Sequence, residues 1–256
     1  MTDSLWLEAT AELAARSGEI ALSHFRRGIG VERKQDGSPV TAADRAAEEF
    51  AREWIMQRFP DHGIVGEEYG THLPTARWRW LIDPIDGTRT FIAGVPLWGT
   101  LVALCDGNSV IAGAASYPAI HESLCAAIGQ GAWAGGSRCS VSNVSSLRSA
   151  TVLTTDERFR AAPKRRDGWN RLADAAGTSR SWGDCYGYLL VASGRAEAMV
   201  DGHMGPWDAA PFLPIIAEAG GVFVDYKGNA TPFGDGSIAT NAALAPAVHS
   251  LLGVGT

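Results

Sequence analysis

A mixed α/β fold, better described as α+β, is what this chain of 256 residues predicts. Two observations carry it. Up to about residue 140, two amphipathic helical segments precede short apolar runs separated by tight turns, the pattern of an antiparallel meander. Beyond residue 140, short strands alternate with helices, which argues for a parallel or mixed sheet with helices on its faces. The change of pattern has no flexible linker, so two fused sub-domains are expected, residues 1–140 and 141–256.

Each element follows from local pattern. Residues 4–26 read as a helix in which Trp6, Leu13 and Ile20 recur every seven positions. Residues 42–59 read as a second helix with Ala43, Ala47, Phe50 and Trp54 on one face. The polar, glycine-bearing stretch 28–39 between them allows an extended segment and a hairpin. Trp80-Leu81-Ile82 is a buried strand that Pro84 is expected to stop, with Gly87 permitting a tight turn and a helix starting near Thr88. Strands are expected over 97–104, 109–116, 123–128 and 131–134, joined by glycine-bearing turns; Gly129-x-Gly131 is such a turn rather than part of a dinucleotide fingerprint, because no helix follows it. The second half reads as strand 151–155, helix 169–176, strand 179–182, helix 186–193, strand 196–200, helix 207–219, strands 222–225 and 237–240, and a closing helix 242–252.

Composition narrows the function. Twenty-two basic against 28 acidic residues give a net charge of −6. Nucleic-acid binders normally concentrate basic charge, so no nucleic-acid partner is expected. The one basic run, Lys164-Arg165-Arg166, reads as solvated surface. No apolar run is long enough to span a bilayer, and the start MTDSLWLEAT lacks the basic-then-apolar layout of a signal peptide. Cys105, Cys125, Cys139 and Cys185 are widely spaced, fit no zinc pattern and behave as small hydrophobes. A reduced cytoplasmic location with no membrane partner is the expectation.

The chemistry is concentrated in Asp83-Pro84-Ile85-Asp86-Gly87-Thr88. Two carboxylates three residues apart at a strand end repel each other unless a cation lies between them, and a hard, oxygen-seeking ion such as Mg²⁺ is the natural occupant. An Asx-turn would account for one of the aspartates but not for both. Gly87 and Thr88 have the properties of a phosphate cradle, with main chain able to approach an anion closely. Gly66-Glu67-Glu68 closes another short apolar run, and Trp207-Asp208 opens an apolar helix where Asp is also a favoured first-turn residue. Thr41 and Asp44 have the spacing of a capping box.

Gly66-Glu67-Glu68, Asp83 to Thr88 and Trp207-Asp208, in that order, resemble the inositol monophosphatase family of Mg²⁺-dependent phosphatases, over about residues 34–241. The segments 83–104 and 182–194 are similar to the histidinol-phosphatase branch, whereas the inositol phosphatases usually carry Asn where this chain has Thr90. The resemblance implies a layered αβαβα sandwich of the inositol monophosphatase and fructose-1,6-bisphosphatase type, with metals between the sub-domains, and a homodimer. It implies Glu67, Asp83, the Ile85 carbonyl, Asp86 and Asp208 as ligands of two or three Mg²⁺ ions. Glu67 and Thr88 would orient the attacking water, with Asp44 orienting Thr88 and Lys34 offsetting the acidic cluster. Gly87, Thr88, Arg89, Asp184 and Asp201 would contact the substrate, together with Trp182 and His203; a carboxylate such as Asp184 or Asp201 could accept a substrate ammonium group.

Four ligating carboxylates bring together roughly four negative charges, and a phosphate dianion adds about two more, so at least two divalent ions are needed. The expected activity is hydrolysis of a small phosphomonoester, L-histidinol phosphate, by a metal-activated water without a phosphoenzyme. Hydrolysis of inositol 1-phosphate or a range of sugar phosphates is the alternative. A non-catalytic binding protein of the same fold is disfavoured by the intact cluster of costly charges.

Overall fold

The computed structural model describes residues 3–28, 30–33 and 39–255; Lys34 lies outside the described residues. The chain opens with α1 (Asp3–His24), the antiparallel pair β1 (Val31–Arg33) and β2 (Pro39–Thr41), and α2 (Ala42–Arg58). There follow β3 (Gly63–Gly66), β4 (Gly70–His72), β5 (Trp78–Asp86), the short α3 (Thr88–Ile92), β6 (Gly99–Asp106), β7 (Ser109–Tyr117), β8 (Glu122–Ala127), β9 (Ala132–Ala134) and β10 (Ser137–Arg138). The remainder is β11 (Thr151–Leu153), α4 (Arg166–Ala175), β12 (Thr178–Arg180), α5 (Cys185–Ala192), β13 (Ala198–Asp201), α6 (Pro206–Ala209), α7 (Phe212–Glu218), β14 (Gly221–Val224), β15 (Ser237–Asn241) and α8 (Ala245–Leu252).

Strands β3 to β10 form an eight-stranded sheet in the order β10-β9-β8-β7-β6-β5-β3-β4, and β11 to β15 a five-stranded sheet in the order β12-β11-β13-β15-β14. The first is antiparallel except where β3 runs parallel to β5; the second mixes parallel β12-β11-β13 with antiparallel β13-β15-β14. Alternation along β5 sends Trp80 and Ile82 to one face, where Leu13 of α1 and Trp54 and Ile55 of α2 cover them. In α1 the buried positions Ala9, Leu13, Ser17 and Ala21 repeat every four residues, one stripe of a helix. The opposite face of the large sheet meets α5 and α7 and, through them, Leu153, Met199 and Ala239 of the small sheet. Trp169 and Leu172 of α4 and Val248 of α8 close the outer face of the small sheet. The result is five layers, αβαβα, as the family resemblance implies. No helix among the described residues is long and apolar enough to cross a membrane, and the four cysteines are free.

Two elements depart from the sequence reading. Pro84 does not stop the strand: β5 continues to Asp86, with a register shift between the pairs Asp83–Leu101 and Asp86–Gly99. A bulge accommodates a residue that has no N–H for the ladder, and it turns the strand end locally. The Thr100 hydroxyl donates to the Pro84 carbonyl at 2.7 Å and fixes that irregular piece of backbone. The helix expected over 207–219 is two helices, α6 and α7, separated at Ala210-Pro211, since Pro211 cannot donate to a carbonyl one turn earlier. The basic run is not wholly solvated either: the Arg165 guanidinium donates to the carbonyls of Gly202 and Asp235 and sits 3.9 Å from the centroid of the Tyr226 ring.

Thr100→Val keeps the side-chain shape but leaves the Pro84 carbonyl buried without its donor, at a cost of about 1–3 kcal/mol. A thermal melt should fall by about 2–4 °C per kcal/mol for a chain of this size; an unchanged melting temperature would remove the hydroxyl's role in holding the bulge.

Candidate active site

Three short pieces of backbone deliver three aspartates to one point. In the bulge, the Ile85 N–H donates to Asp83 Oδ1 at 2.9 Å, so the Asx-turn does form and turns the side chain instead of consuming it. Asp86, at the end of β5, accepts from the Cys185 N–H at the start of α5. Asp208, in the single turn of α6, accepts from the Gly205 N–H at 2.8 Å, the helix-start role the sequence allowed. Ligand oxygens of Asp83, Asp86 and Asp208 lie within 4.8 Å of one another. Glu67 occupies the turn between β3 and β4, half-buried, and its charge acts on both Asp83 and Asp208.

Crowding shows in the proton affinities. Burial first, then the charges of Glu67, Asp208 and Asp86, raises Asp83 well above the ordinary carboxylate range. Burial and the charges of Asp184 and Asp208 do the same to Asp86. Asp208 is pushed up to about 7 by burial and by Glu67. Among the described residues no lysine or arginine forms an ion pair with any of the three. An all-oxygen donor set, buried at Asp83 and half-buried at Asp86 and Asp208, with no ion-pair partner among the described residues, fits a hard divalent cation.

Beside this cluster the chain makes an abrupt turn into α3. Gly87 has φ +85°, a left-handed conformation in which a side chain is strained. Thr88 follows, its hydroxyl 3.1 Å from the Ile85 carbonyl and 3.4 Å from Asp44 Oδ1. Asp44 uses its other oxygen for the Thr41 N–H at 2.8 Å and the Thr41 hydroxyl at 2.6 Å, so the capping box and the contact with Thr88 coexist. Burial raises the Asp44 carboxyl despite those hydrogen bonds. Gly87 has no side chain to shield its main chain, and α3, five residues long, contributes the free N–H groups of a helix start rather than a long dipole.

The residues expected at the substrate separate into two groups. Asp184 lies over the cradle: a Cβ built on Gly87 would stand 3.0 Å from its Oδ2, which accepts from the Thr90 hydroxyl at 2.9 Å. Its backbone is at φ +50°, ψ −156°, and its N–H donates to Thr155 Oγ1 at 2.8 Å. Burial raises its carboxyl, opposed by Thr90 and by the charge of exposed Arg89. Asp201, in contrast, is only 6% exposed, with one oxygen accepting from the Thr155 N–H at 3.1 Å and the other from the Tyr188 hydroxyl at 2.9 Å. Trp182 is exposed, and exposed His203 hydrogen-bonds Asp235 at 2.8 Å. Sequence pattern points neither to Thr90 as a partner of Asp184 nor to Glu48, whose carboxylate is fully buried next to the Glu67 turn. Acidic residues at 44 and 48 on the same face as Ala47 and Ala51 are the available signal, since a charge on the buried stripe of a helix needs a partner.

Comparison with known proteins gives the same picture. Residues 3–253 match the model of the inositol monophosphatase family. A histidinol-phosphatase of Chlorobaculum parvum is 42% identical over 251 residues, 97% of each chain. A fructose-1,6-bisphosphatase/inositol-1-monophosphatase of Aquifex aeolicus is 34% identical, over 85% of this chain and 84% of that one. Among solved structures, the IMPase of Thermotoga maritima superposes with a TM-score of 0.88 at 29% identity, covering 96% of both chains. Family members are phosphatases, and a near full-length match of this kind, on top of the acidic cluster and the five layers, makes the chain a phosphoric monoester hydrolase belonging to the inositol monophosphatase family.

Proposed function

We propose that the protein hydrolyses L-histidinol phosphate to L-histidinol and phosphate, a step of histidine biosynthesis, with two or three Mg²⁺ ions, as a cytoplasmic homodimer. The observation that carries the metal chemistry is the meeting of Asp83, Asp86 and Asp208 without a basic partner among the described residues. Glu67 and the Ile85 carbonyl would complete the ligand set. Bound there, the ions would supply Lewis acidity: they neutralise the cluster, make water more acidic and stabilise the departing alkoxide.

The side chains divide the remaining work. Thr88 directs its proton at Asp44 or the Ile85 carbonyl, which leaves its lone pairs free to orient a water. Glu67, beside Asp83, takes a second hold on that water and would accept its proton, later passed to solvent, as the water oxygen bonds to phosphorus. The phosphorus–oxygen bond to the alcohol breaks as the new bond forms, and solvent returns a proton to the alkoxide. Gly87 lets the main chain approach the phosphate. Asp184, beside Gly87, has the Thr90 hydroxyl as donor, the charge of exposed Arg89 nearby and no ion pair among the described residues, which supports pairing with the ammonium group of an amino-alcohol phosphate. The similarity to the Aquifex aeolicus enzyme favours a second reading, in which inositol or sugar phosphates are hydrolysed by the same centre.

Phosphate release from L-histidinol phosphate and myo-inositol 1-phosphate, measured with Mg²⁺ and with EDTA, separates these. Preference for histidinol phosphate that EDTA abolishes is expected; equal rates would support the second reading, and no turnover of any phosphomonoester with Mg²⁺ would remove both. Asp184→Asn should lower kcat/KM for histidinol phosphate by about tenfold or more, the scale of one buried charged contact, and inositol 1-phosphate much less. A parallel loss on both substrates would take Asp184 out of specificity.

Asp83→Asn should abolish turnover and yet raise the melting temperature of the metal-free protein near pH 8, because it removes one of the mutually repelling charges; a lower melting temperature with activity retained would contradict the assignment. The pH dependence has a definite sign. Asp208 at about 7 and Asp201 at about 6 bind protons more tightly folded than unfolded, where 3.8 is the ordinary value. Their contribution to stability is therefore present in full below about pH 4 and is lost as pH rises through about 6 to 7. Melts of the metal-free protein should show that loss, and Mg²⁺ should suppress the Asp208 part of it.

A further inference from the structure

Glu48 belongs to the face of α2 that also carries Asp44, one turn earlier, and Arg52, one turn later. Its side chain is fully buried, 0% exposed. One carboxylate oxygen accepts from the Glu68 N–H at 2.7 Å; the other accepts from the Tyr69 N–H at 3.1 Å and from Arg52 Nε at 2.7 Å. Arg52 in turn donates to the Gly70 carbonyl and lies over the Tyr69 ring at 5.8 Å. Residues 67–69 are the whole turn between β3 and β4, which pair from Gly66–Gly70 outward. The carboxylate thus fills the inside of the turn that presents Glu67, and it takes the space beside Gly66: a Cβ there would collide with it.

A buried carboxylate is costly, and core packing alone gives no reason for one. Its two main-chain contacts and the clamp on Gly70 make sense if the turn must be held to a fixed position. Asp44, four residues before Glu48 and so about 6 Å along the helix axis, meets the Thr88 hydroxyl. One rigid helix face therefore sets the spacing between the Glu67 turn and the Thr88 turn. We infer that Glu48 is a positioning residue for Glu67: through the Glu68 and Tyr69 amides it registers the metal-binding carboxylate against Asp83 and Thr88. The inference rests on the proposed role of Glu67 as a metal ligand and assigns the group that holds it.

Glu48→Gln retains size but turns one of the accepting oxygens into an NH₂ that faces an N–H donor. Gly66→Ala perturbs the same contact from the other side and leaves every charge in place. For both variants, alongside Glu67→Gln and the double variant Glu48→Gln/Glu67→Gln, Mn²⁺ affinity is read from the electron paramagnetic resonance signal of free ion. Circular dichroism confirms folding, and kcat and KM are measured for the preferred phosphomonoester. Glu48→Gln is expected to weaken Mn²⁺ binding about tenfold and lower kcat by more than tenfold with KM little changed, Gly66→Ala acting in the same direction. In the Glu67→Gln background the Glu48 substitution should add nothing to the loss of Mn²⁺ affinity, because residues that act as one unit are non-additive. A folded Glu48→Gln protein with Mn²⁺ affinity and kcat within twofold of wild type overturns the inference, as does a double variant in which the two losses multiply. If Glu48→Gln does not fold, Gly66→Ala decides by the same criteria. Wild-type Mn²⁺ affinity in Glu67→Gln alone would instead remove the ligand role of Glu67, a distinct failure.

Discussion

Mutual repulsion among clustered carboxylates is the constraint around which the centre of this protein is arranged. Ligand oxygens of Asp83, Asp86 and Asp208 converge to within 4.8 Å, and burial, near complete at Asp83 and partial at Asp86 and Asp208, limits the solvent that would screen their charge. Among the described residues each is held by a main-chain N–H and none by a basic side chain: Ile85 for Asp83, Cys185 for Asp86, Gly205 for Asp208. Such dipoles orient an anion without neutralising it, so the proton affinities remain high and the demand for a cation stays open.

The layering accounts for how such a cluster can persist. Asp83 and Asp86 belong to the eight-stranded sheet, whereas Asp208 and the N–H of Cys185 come from helices that connect strands of the five-stranded sheet. The carboxylates meet only because the two sheets dock, and the docking is apolar: Leu101, Ala115 and Leu124 from one sheet, Leu153, Met199 and Ala239 from the other, with Tyr188 and Phe212 stacked at 4.4 Å between them. Burial of this kind contributes about 25 cal/mol per Å² of apolar surface, and it is this core that opposes the repulsion at its edge. Stability and function thus pull on neighbouring residues in opposite directions, as expected where an active site is preorganised.

Much of this is legible in the sequence, and the exceptions have physical causes. Helical period in 4–26 and 42–59 and turn chemistry between short apolar runs are enough for α1, α2 and the meander β6 to β9, because those signals are local. Asp83 and Asp86 are legible because two carboxylates flanking Pro84 exceed what one Asx-turn requires, whereas Asp208, at a helix start that a cap alone would explain, is legible through the family resemblance. Pro84 reads as a strand stop and is not one, since whether proline ends a strand or sits in a bulge depends on the partner strand, here Thr100 and Gly99 of β6. The break between α6 and α7 is written in Pro211, but the apolar pattern runs on across it. Thr90 gives no local sign, and Glu48 only that of a charge on the buried stripe of α2, because their partners are long-range. Glu48 answers amides about twenty residues away and Thr90 a carboxylate about ninety away, and neither separation leaves a periodic trace.

Asp184 and Asp201 carry the same functional group, and sequence alone does not choose between them as the acceptor for a substrate cation. The hydrogen-bonded surroundings do distinguish them. Both oxygens of Asp201 already accept from Thr155 and Tyr188 inside the small-sheet sub-structure, and moving that carboxylate toward a ligand would break a buried network. Asp184 accepts at Oδ2 from the Thr90 hydroxyl and is held from its backbone as well, by Thr155 Oγ1 on its N–H, in a conformation at φ +50° that costs a residue with a side chain about 1–3 kcal/mol. That strain is sustained at the start of α5, where the next N–H, of Cys185, must also reach Asp86. One turn of backbone therefore orients a metal-cluster aspartate with its amide and a candidate specificity aspartate with its side chain. The position of the Asp184 carboxylate and the hydrogen bond that orients Asp86 thus depend on the same peptide, between Asp184 and Cys185, so a change in its backbone conformation moves both.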